Sequence, residues 1–554
     1  MVDSHSPRSL QVRLASFITS LLPFVALLGL LGIVLTPLFL VPAEDATILF
    51  QYSDNWATTG QITYFTGGPR VEGATDFLWM AILTVFRMAH VPAYFAVAAL
   101  NFVAVLVIAY LLLRLSGRKP TATLLLIPTG LVILIPQIGA ALAGFSVLPF
   151  AALLLSCVYF YHFAMDIPLA LGCLVLCLFR PDGVVFAAPL LGLRLFTAGP
   201  QVWWKLTSNL WWRLATYIAF FVIPGVAYFV WRWHYFGELL PIPFLVKSDV
   251  RRFMGVAISD SNIDILKYLG FDIALLALLF GRRLKERTNL QVLLAIGIVP
   301  TLFYLTMRLD QDIADRFFAY LLVCAAALVA INWDKLPPTR TILVSASLWC
   351  VFLAFTWGYW LVRFVSDGYR NNVVAISSEL SNVHPNGTLA LSEAGRIAYF
   401  SRWKTTDLWG LNTPEYAHHL FSPADVAKVS PDLLVLYYPQ SNHDCRLKAG
   451  WDTPYTVRVW PNMARNVITG LNETGNYELW MVPSSGLLRK AMHGNRPGAG
   501  EYQCWFLKRD YAGHDQVADI LARHAALPAQ EFFHIRFGQP VAVNASAQSA
   551  GTSK

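Results

Sequence analysis

Long apolar runs separated by short basic loops occupy the chain from Leu14 to Val362, and beyond Ser366 charged residues, Asn, Gly and Pro return to the levels of a soluble domain. A helix that crosses hydrocarbon needs about 20 apolar residues. That criterion places spans near 14–41, 94–113, 121–141, 145–163, 167–178, 181–198, 212–233, 263–280, 289–308, 317–333 and 341–362. The fifth is short, and is expected to be a half-helix or one arm of a hairpin with the sixth. Phe77–Met88 is apolar but too short to cross, and reads as an interfacial helix. The expected fold is a polytopic α-helical membrane protein of about 11 transmembrane helices, followed by an extracytoplasmic α/β domain.

The expected domains are a membrane part over 1–365, with a first outer loop at 42–93, a soluble part over 366–542 and a disordered tail over 543–554. Within the soluble part, Asn371–Leu380, Gly395–Phe400 and Ser422–Val429 read as helices. Ser422 stands at the N-cap of the last, with Pro423 at its first position. Strands are expected at Thr388–Ser392, Thr405–Leu411, Leu433–Tyr438, Tyr477–Val482 and Tyr502–Leu507. Alternation of this kind implies a small α/β layer structure.

Composition agrees with a membrane chain. Of 554 residues, 56% are hydrophobic and only 14% charged, and mean hydropathy is +0.50; a soluble domain carries roughly 25% charged residues. The net charge of +8 does not imply nucleic acid, because most basic residues sit in short inter-span loops. Eleven crossings collect Arg8, Arg13, Arg114, Arg118, Lys119, Arg194, Lys205, Arg213, Arg283 and Lys335 on one side, the cytoplasm by the positive-inside rule. The first loop and the C-terminal domain then face outward. The first segment is too long for a cleavable signal and has no cleavage site, so it is expected to remain as an anchor. Cys157, Cys173, Cys177, Cys324 and Cys350 lie in apolar segments, whereas Cys445 and Cys504 are available to pair if their domain faces an oxidising compartment.

Some basic residues do not serve orientation. Arg232, Lys247, Arg251, Arg252, Arg308 and Arg316 lie beside outer loops. They suit a phosphate near the outer leaflet, anionic headgroups, or ion pairs with local acids. On the same side, Glu44-Asp45 follows the first span and is joined by Tyr52, Asp54 and Asn55. Carboxylates beside hydrocarbon are costly unless they have a partner or a task. One with raised proton affinity suits a general base; for a bare acidic pair, helix capping and interfacial solvation are the more usual explanation.

The loop continues through Val71-Glu72-Gly73-Ala-Thr75-Asp76-Phe-Leu-Trp79. Arg180-Pro-Asp-Gly183 follows, then Tyr235-Phe-Gly237 with Leu240-Pro241 and Lys247. Later come Ser392-Glu-Ala-Gly395, Tyr399-Phe-Ser401 and Asp407-Leu-Trp-Gly-Leu-Asn412. In this order the motifs resemble the GT-C superfamily of polyprenyl-phosphate-sugar-dependent membrane glycosyltransferases, closest to the branch of the mycobacterial terminal arabinofuranosyltransferase. The chain departs from that pattern at Glu44, where Asp is usual, at Asp76, where Asn or Ser is expected, and at Ile242 or Pro243, where Asn is common. These departures bear on the sugar and the acceptor more than on the reaction.

The resemblance implies an inverting transfer of a sugar, arabinofuranose by likeness alone, from a polyprenyl phosphate to an outer glycan, lipid or protein. It implies Asp45 as the base with Glu44 as its neighbour, and Lys247 as the cation on the leaving phosphate. Arg316 and Arg180 are further phosphate candidates, and Arg180 with Asp182 reads equally as a buried ion pair. Asp54, Glu72, Tyr52 and Asp76 are expected at the sugar and acceptor. No cofactor is expected and the scheme requires no metal, since Lys247 and its basic neighbours can do the charge work and the sequence shows no clear oxygen cage; a divalent ion is not excluded. The competing classes are a transporter or flippase of a lipid-linked saccharide, for which no repeated halves are visible, and a non-catalytic polysaccharide-binding scaffold. The location implied is a bacterial cytoplasmic membrane, N-terminus inside.

Overall fold

The computed structural model describes residues 41–117, 143–196, 208–248, 260–307, 313–335, 372–436, 459–483, 502–524 and 527–529. The spans expected at 121–141 and 341–362, nearly all of that at 14–41, the tail and Cys445 lie outside these. The chain forms two compact units. The first comprises Met1–Thr63, Ala74–Leu240 and Ala257–Tyr369, and the second Tyr64–Gly73, Pro241–Val256 and Arg370–Lys554.

In the first unit, the stretch expected as a polar loop begins with a 16-residue helix, α1 (Glu44–Thr59). Two acids in its first turn complement the partial positive charge of the helix N-terminus. Gly60, at φ 72°, ends it in a left-handed cap whose N–H bonds Trp56 O. The inward face carries Ala46, Leu49, Phe50, Tyr52 and Ser53, and Ser53 Oγ donates to Met80 O at 3.1 Å, tying α1 to α2 (Phe77–Met88). The helix α2 has 12 residues, too short to cross.

Three helices among the described residues are long and apolar enough to span: α3 (Ala93–Ser116), Leu210–Phe236 and Arg287–Thr306. The latter two pass through π-turns at Ile218–Val222 and Leu293–Ile298, each just before a proline, Pro224 or Pro300. Proline supplies no N–H and crowds the carbonyl four residues back, which favours the wider turn. Between these spans, α4 (Val147–His162) precedes a helical hairpin of α5 (Asp166–Phe179) and α6 (Val184–Phe196). The hairpin turns at Pro181–Gly183. A Cβ on Gly183 would stand 2.3 Å from Leu176 O, so only glycine lets the turn fold this tightly against α5.

Among the described residues the second unit holds a six-stranded sheet in the order β2-β1-β3-β5-β4-β6. The strands are β1 (Thr388–Leu391), β2 (Lys404–Asp407), β3 (Leu433–Leu436), β4 (Tyr477–Pro483), β5 (Tyr502–Lys508) and β6 (Leu527–Ala529). The first three are parallel, with Leu389 opposite Thr405 and Leu433, and β5, β4 and β6 pair antiparallel. The run Leu433-Leu-Val-Leu436 is buried throughout, as expected of a central strand covered on both faces. Helices Pro423–Val429 and Val459–Thr474 supply Val426, Val467 and Leu471 to a core shared with Leu434, Leu479 and Phe506. Ser422 caps the first of these in a box closed by Asp425, whose Oδ2 accepts from Ser422 N at 2.7 Å. Cys504 is disulfide-bonded, with its partner outside the described residues.

Candidate active site

Four segments of the first unit converge on a buried cluster of charges. Asp45 leaves the first turn of α1, and its Oδ2 accepts from Arg316 Nη2 at 2.8 Å. Arg316 belongs to a 3₁₀ turn, Ile313–Phe318, and is 9% exposed. Its guanidinium lies 4.2 Å from the Phe145 ring centroid and 5.1 Å from that of Phe317. Arg180 lies 5.1 Å from the same Phe317 ring and 5.0 Å from Phe150. Two guanidiniums thus share one aromatic ring, which offsets some of the cost of burying both.

Arg180 forks onto Asp182 through Nε to Oδ1 at 3.0 Å and Nη2 to Oδ2 at 2.6 Å. The Tyr304 hydroxyl also donates to Asp182 Oδ2. The Tyr304 ring stacks on Tyr320, centroids 5.5 Å apart, and Tyr320 shares a 2.8 Å hydrogen bond with Thr301. Asp76 precedes α2 and accepts from Ser146 Oγ at 3.0 Å. Burial raises the proton affinity of its carboxyl above the ordinary range. Arg180, the Ser146 hydrogen bond and Arg316 oppose that rise, while Asp182 adds to it.

Of the residues singled out from sequence, Asp45, Asp76, Arg180 and Arg316 come together here. Glu44 adjoins Asp45 and is half-buried. Tyr52 lies two turns along α1, wholly buried in its packing face. Asp54 is engaged by Arg87 of α2 through Nε and through Nη2 at 3.2 Å, a bond that joins two helices. Glu72 and Lys247 belong to the second unit: Glu72 is 5% exposed, and Lys247 stands exposed on the helix Ile242–Ser248. In that unit Tyr64 donates its hydroxyl to Ala394 O, within the Ser392-Glu-Ala-Gly395 motif. The Asp407–Asn412 motif is a self-bonded turn. Asp407 accepts from Trp409 N, Asn412 N and Asn412 Nδ2, each at 2.9 Å.

Ser146, Phe317 and Tyr304 were not visible in the sequence as site residues. Only the Arg180-Pro-Asp-Gly183 element pointed to Asp182. Arg316 Nη1 is buried without a hydrogen-bond partner among the described residues. A guanidinium that spends one nitrogen on Asp45 and keeps another in reserve is equipped to receive an anion. Among the described residues no set of three or more His, Cys, Asp or Glu is grouped to hold a metal ion.

Residues 364–482 match a family described as Domain of unknown function (DUF8728). No curated protein matches. Among solved structures, the chain is similar to ArnT from Cupriavidus metallidurans in the apo state, at 13% identity and TM-score 0.50, over 76% of this chain and 93% of that one. ArnT from Cupriavidus metallidurans bound to undecaprenyl phosphate is similar at 13% identity and TM-score 0.44, over 89% and 98%. The first likeness shows an ArnT-like fold, that of a polytopic helical membrane protein.

Proposed function

We propose that this chain is a GT-C glycosyltransferase that moves a sugar, with inversion, from a polyprenyl-phosphate donor to an extracytoplasmic glycan, lipid or protein. The observation that carries the reading is the pairing of Arg316 with Asp45 at 2.8 Å, with Nη1 of that arginine left over. A buried cation with a spare donor suits a leaving phosphate, and the carboxylate paired with it fixes where that donor points. Fixed donors aimed at developing negative charge act most strongly where water is excluded. The fold adds support, since ArnT is a GT-C glycosyltransferase.

In this reading Arg316 stabilises the departing phosphate, and Asp182 with Tyr304 holds Arg180 ready beside it. A carboxyl of the first outer loop takes the hydroxyl proton. The assignment of Lys247 to the donor phosphate rests on the sequence motif alone. Arabinofuranose rests on the sequence motifs, and is the first sugar to try. The disulfide at Cys504 favours an oxidising compartment for the second unit, hence an outward face on a bacterial cytoplasmic membrane.

The test is transfer by the purified protein in vesicles, offered a panel of polyprenyl-phosphate sugars and cell-envelope glycans. Wild type is expected to transfer one of them, and Asp45→Asn and Arg316→Gln to lose the activity. Absence of transfer from every donor, or wild-type rates in both variants, overturns the assignment.

A further inference from the structure

Charges in the cluster do not balance pairwise. Three carboxyls, Asp45, Asp76 and Asp182, face two guanidiniums, Arg180 and Arg316. Each guanidinium is committed to one carboxylate, Arg316 to Asp45 and Arg180 to Asp182. Asp76 is the remainder. Its partners among the described residues are hydroxyls, Ser146 Oγ at 3.0 Å and the Thr75 Oγ1 at 3.5 Å.

We propose that Asp76 is the proton-accepting residue of the transfer site, taking the acceptor hydroxyl's proton as the new glycosidic bond forms. This rests on the glycosyltransfer reading and moves the base from Asp45, where sequence resemblance puts it. Asp45 and Asp182 are each bonded to a guanidinium, and protonating either would forfeit an ion pair. Asp45 therefore positions Arg316, and Asp182 positions Arg180. Asp76 accepts a proton without breaking an ion pair, and doing so brings the cluster of three acids and two arginines to neutrality.

The step balances. The acceptor oxygen bonds the anomeric carbon while the bond from that carbon to the phosphate oxygen breaks. The electron pair leaves with the polyprenyl phosphate, and the hydroxyl proton passes to Asp76. The groups that set its titration lie on every segment around it: Ser146 at the start of α4, Arg180 and Asp182 in the α5–α6 turn, Arg316 in the 3₁₀ turn with Asp45 on α1 behind it. Burial outweighs the two arginines and the Ser146 hydroxyl, so Asp76 holds a proton to higher pH than an ordinary aspartate.

The experiment has two arms on the full-length protein in lipid vesicles. In the first, infrared difference spectra follow protonated carboxyl against pH. Wild type is expected to show a carboxyl that titrates above the ordinary aspartate range; it should vanish in Asp76→Asn and persist in Asp45→Asn. In the second, the rate of sugar transfer is followed against pH. Wild type is expected to show an acidic limb at the same position. Asp76→Asn should lose about 100-fold or more in rate, together with that limb, as removal of a general base does; Asp76→Glu should recover part of both. Persistence of the infrared signal in Asp76→Asn, or an unchanged acidic limb in that variant, overturns the proposal. Wild-type protein that transfers from no polyprenyl donor removes the glycosyltransfer reading and the base role with it. The first arm still reports where the surplus proton sits.

Discussion

Asp45 and Arg316, 271 positions apart in the chain, meet at 2.8 Å with the guanidinium laid 4.2 Å from the centroid of the Phe145 ring. Each is expensive to bury alone, so loss of either leaves the other uncompensated. Arg316→Gln is expected to lower kcat for sugar transfer by about 100-fold or more, the usual cost of removing one donor to a developing anion. Arg316→Lys should recover only part, because an ammonium cannot bond Asp45 and offer a second planar donor together. Steady-state kinetics on the donor separates the two. Equal rates for wild type and Arg316→Gln remove the arginine from the chemistry.

Gly183 lets the α5–α6 turn close against Leu176, and so sets the height at which Arg180 and Asp182 stand. A methyl group at 2.3 Å from a backbone oxygen forces the turn outward. Gly183→Ala is expected to cost about 1–3 kcal/mol of stability and to reduce transfer more than a conservative change at Tyr304. A melting curve paired with a rate measurement checks it. A variant with wild-type melting and wild-type rate shows that the turn relaxes freely.

The helix bounds at Phe77–Met88 and most strands of the second unit were legible because periodicity and turn residues act locally. The acidic pair was legible as a feature but not as part of a helix. Its helix, α1, is polar on one face, and Tyr52, Ser53 and Asn55 are buried by tertiary packing that no local pattern encodes. The same holds for the ion pairs. Asp54 and Asp76 look alike in sequence, yet one is spent on Arg87 and the other stands beside two arginines from distant segments. Helix Val459–Thr474 escaped notice because Pro461 and three asparagines obscure a strongly amphipathic pattern.

In the second unit Glu379 accepts from His524 Nε2 at 2.6 Å and from Arg523 Nη2 at 2.7 Å, clipping helix Asn372–Leu380 to helix His514–Arg523. Hydrogen bonds from His524 and Arg523 hold its carboxyl below the usual glutamate range. The folded-state proton affinity is thus lower than in the unfolded chain. The clip's stability is fully present above the unfolded glutamate value near 4.3 and is lost as pH falls through the folded value. Glu379→Gln should melt at lower temperature than wild type near neutral pH and converge with it in acid. Parallel melting curves at every pH count against the clip. The effect is small, because both partners are partly solvated.

Cys504 is 3% exposed, set in β5 opposite Leu436 of β3 and Met481 of β4, and it is oxidised. A disulfide anchored in the centre of the sheet restricts the unfolded chain, and its loss from a small domain costs about 2–5 kcal/mol. Reduction, or Cys504→Ala, is therefore expected to lower the melting temperature of the second unit while leaving the membrane unit's spectrum unchanged. Thiol labelling after denaturation supplies the complementary readout. The membrane-unit cysteines Cys157, Cys173, Cys177 and Cys324 are free and should label without reduction; Cys504 should label only after it. The pairing also bears on which side of the membrane the second unit occupies. Cytosolic thiols stay reduced, so Cys504 isolated from intact cells as a free thiol would place this unit inside and remove the outward-facing acceptor from the proposed reaction.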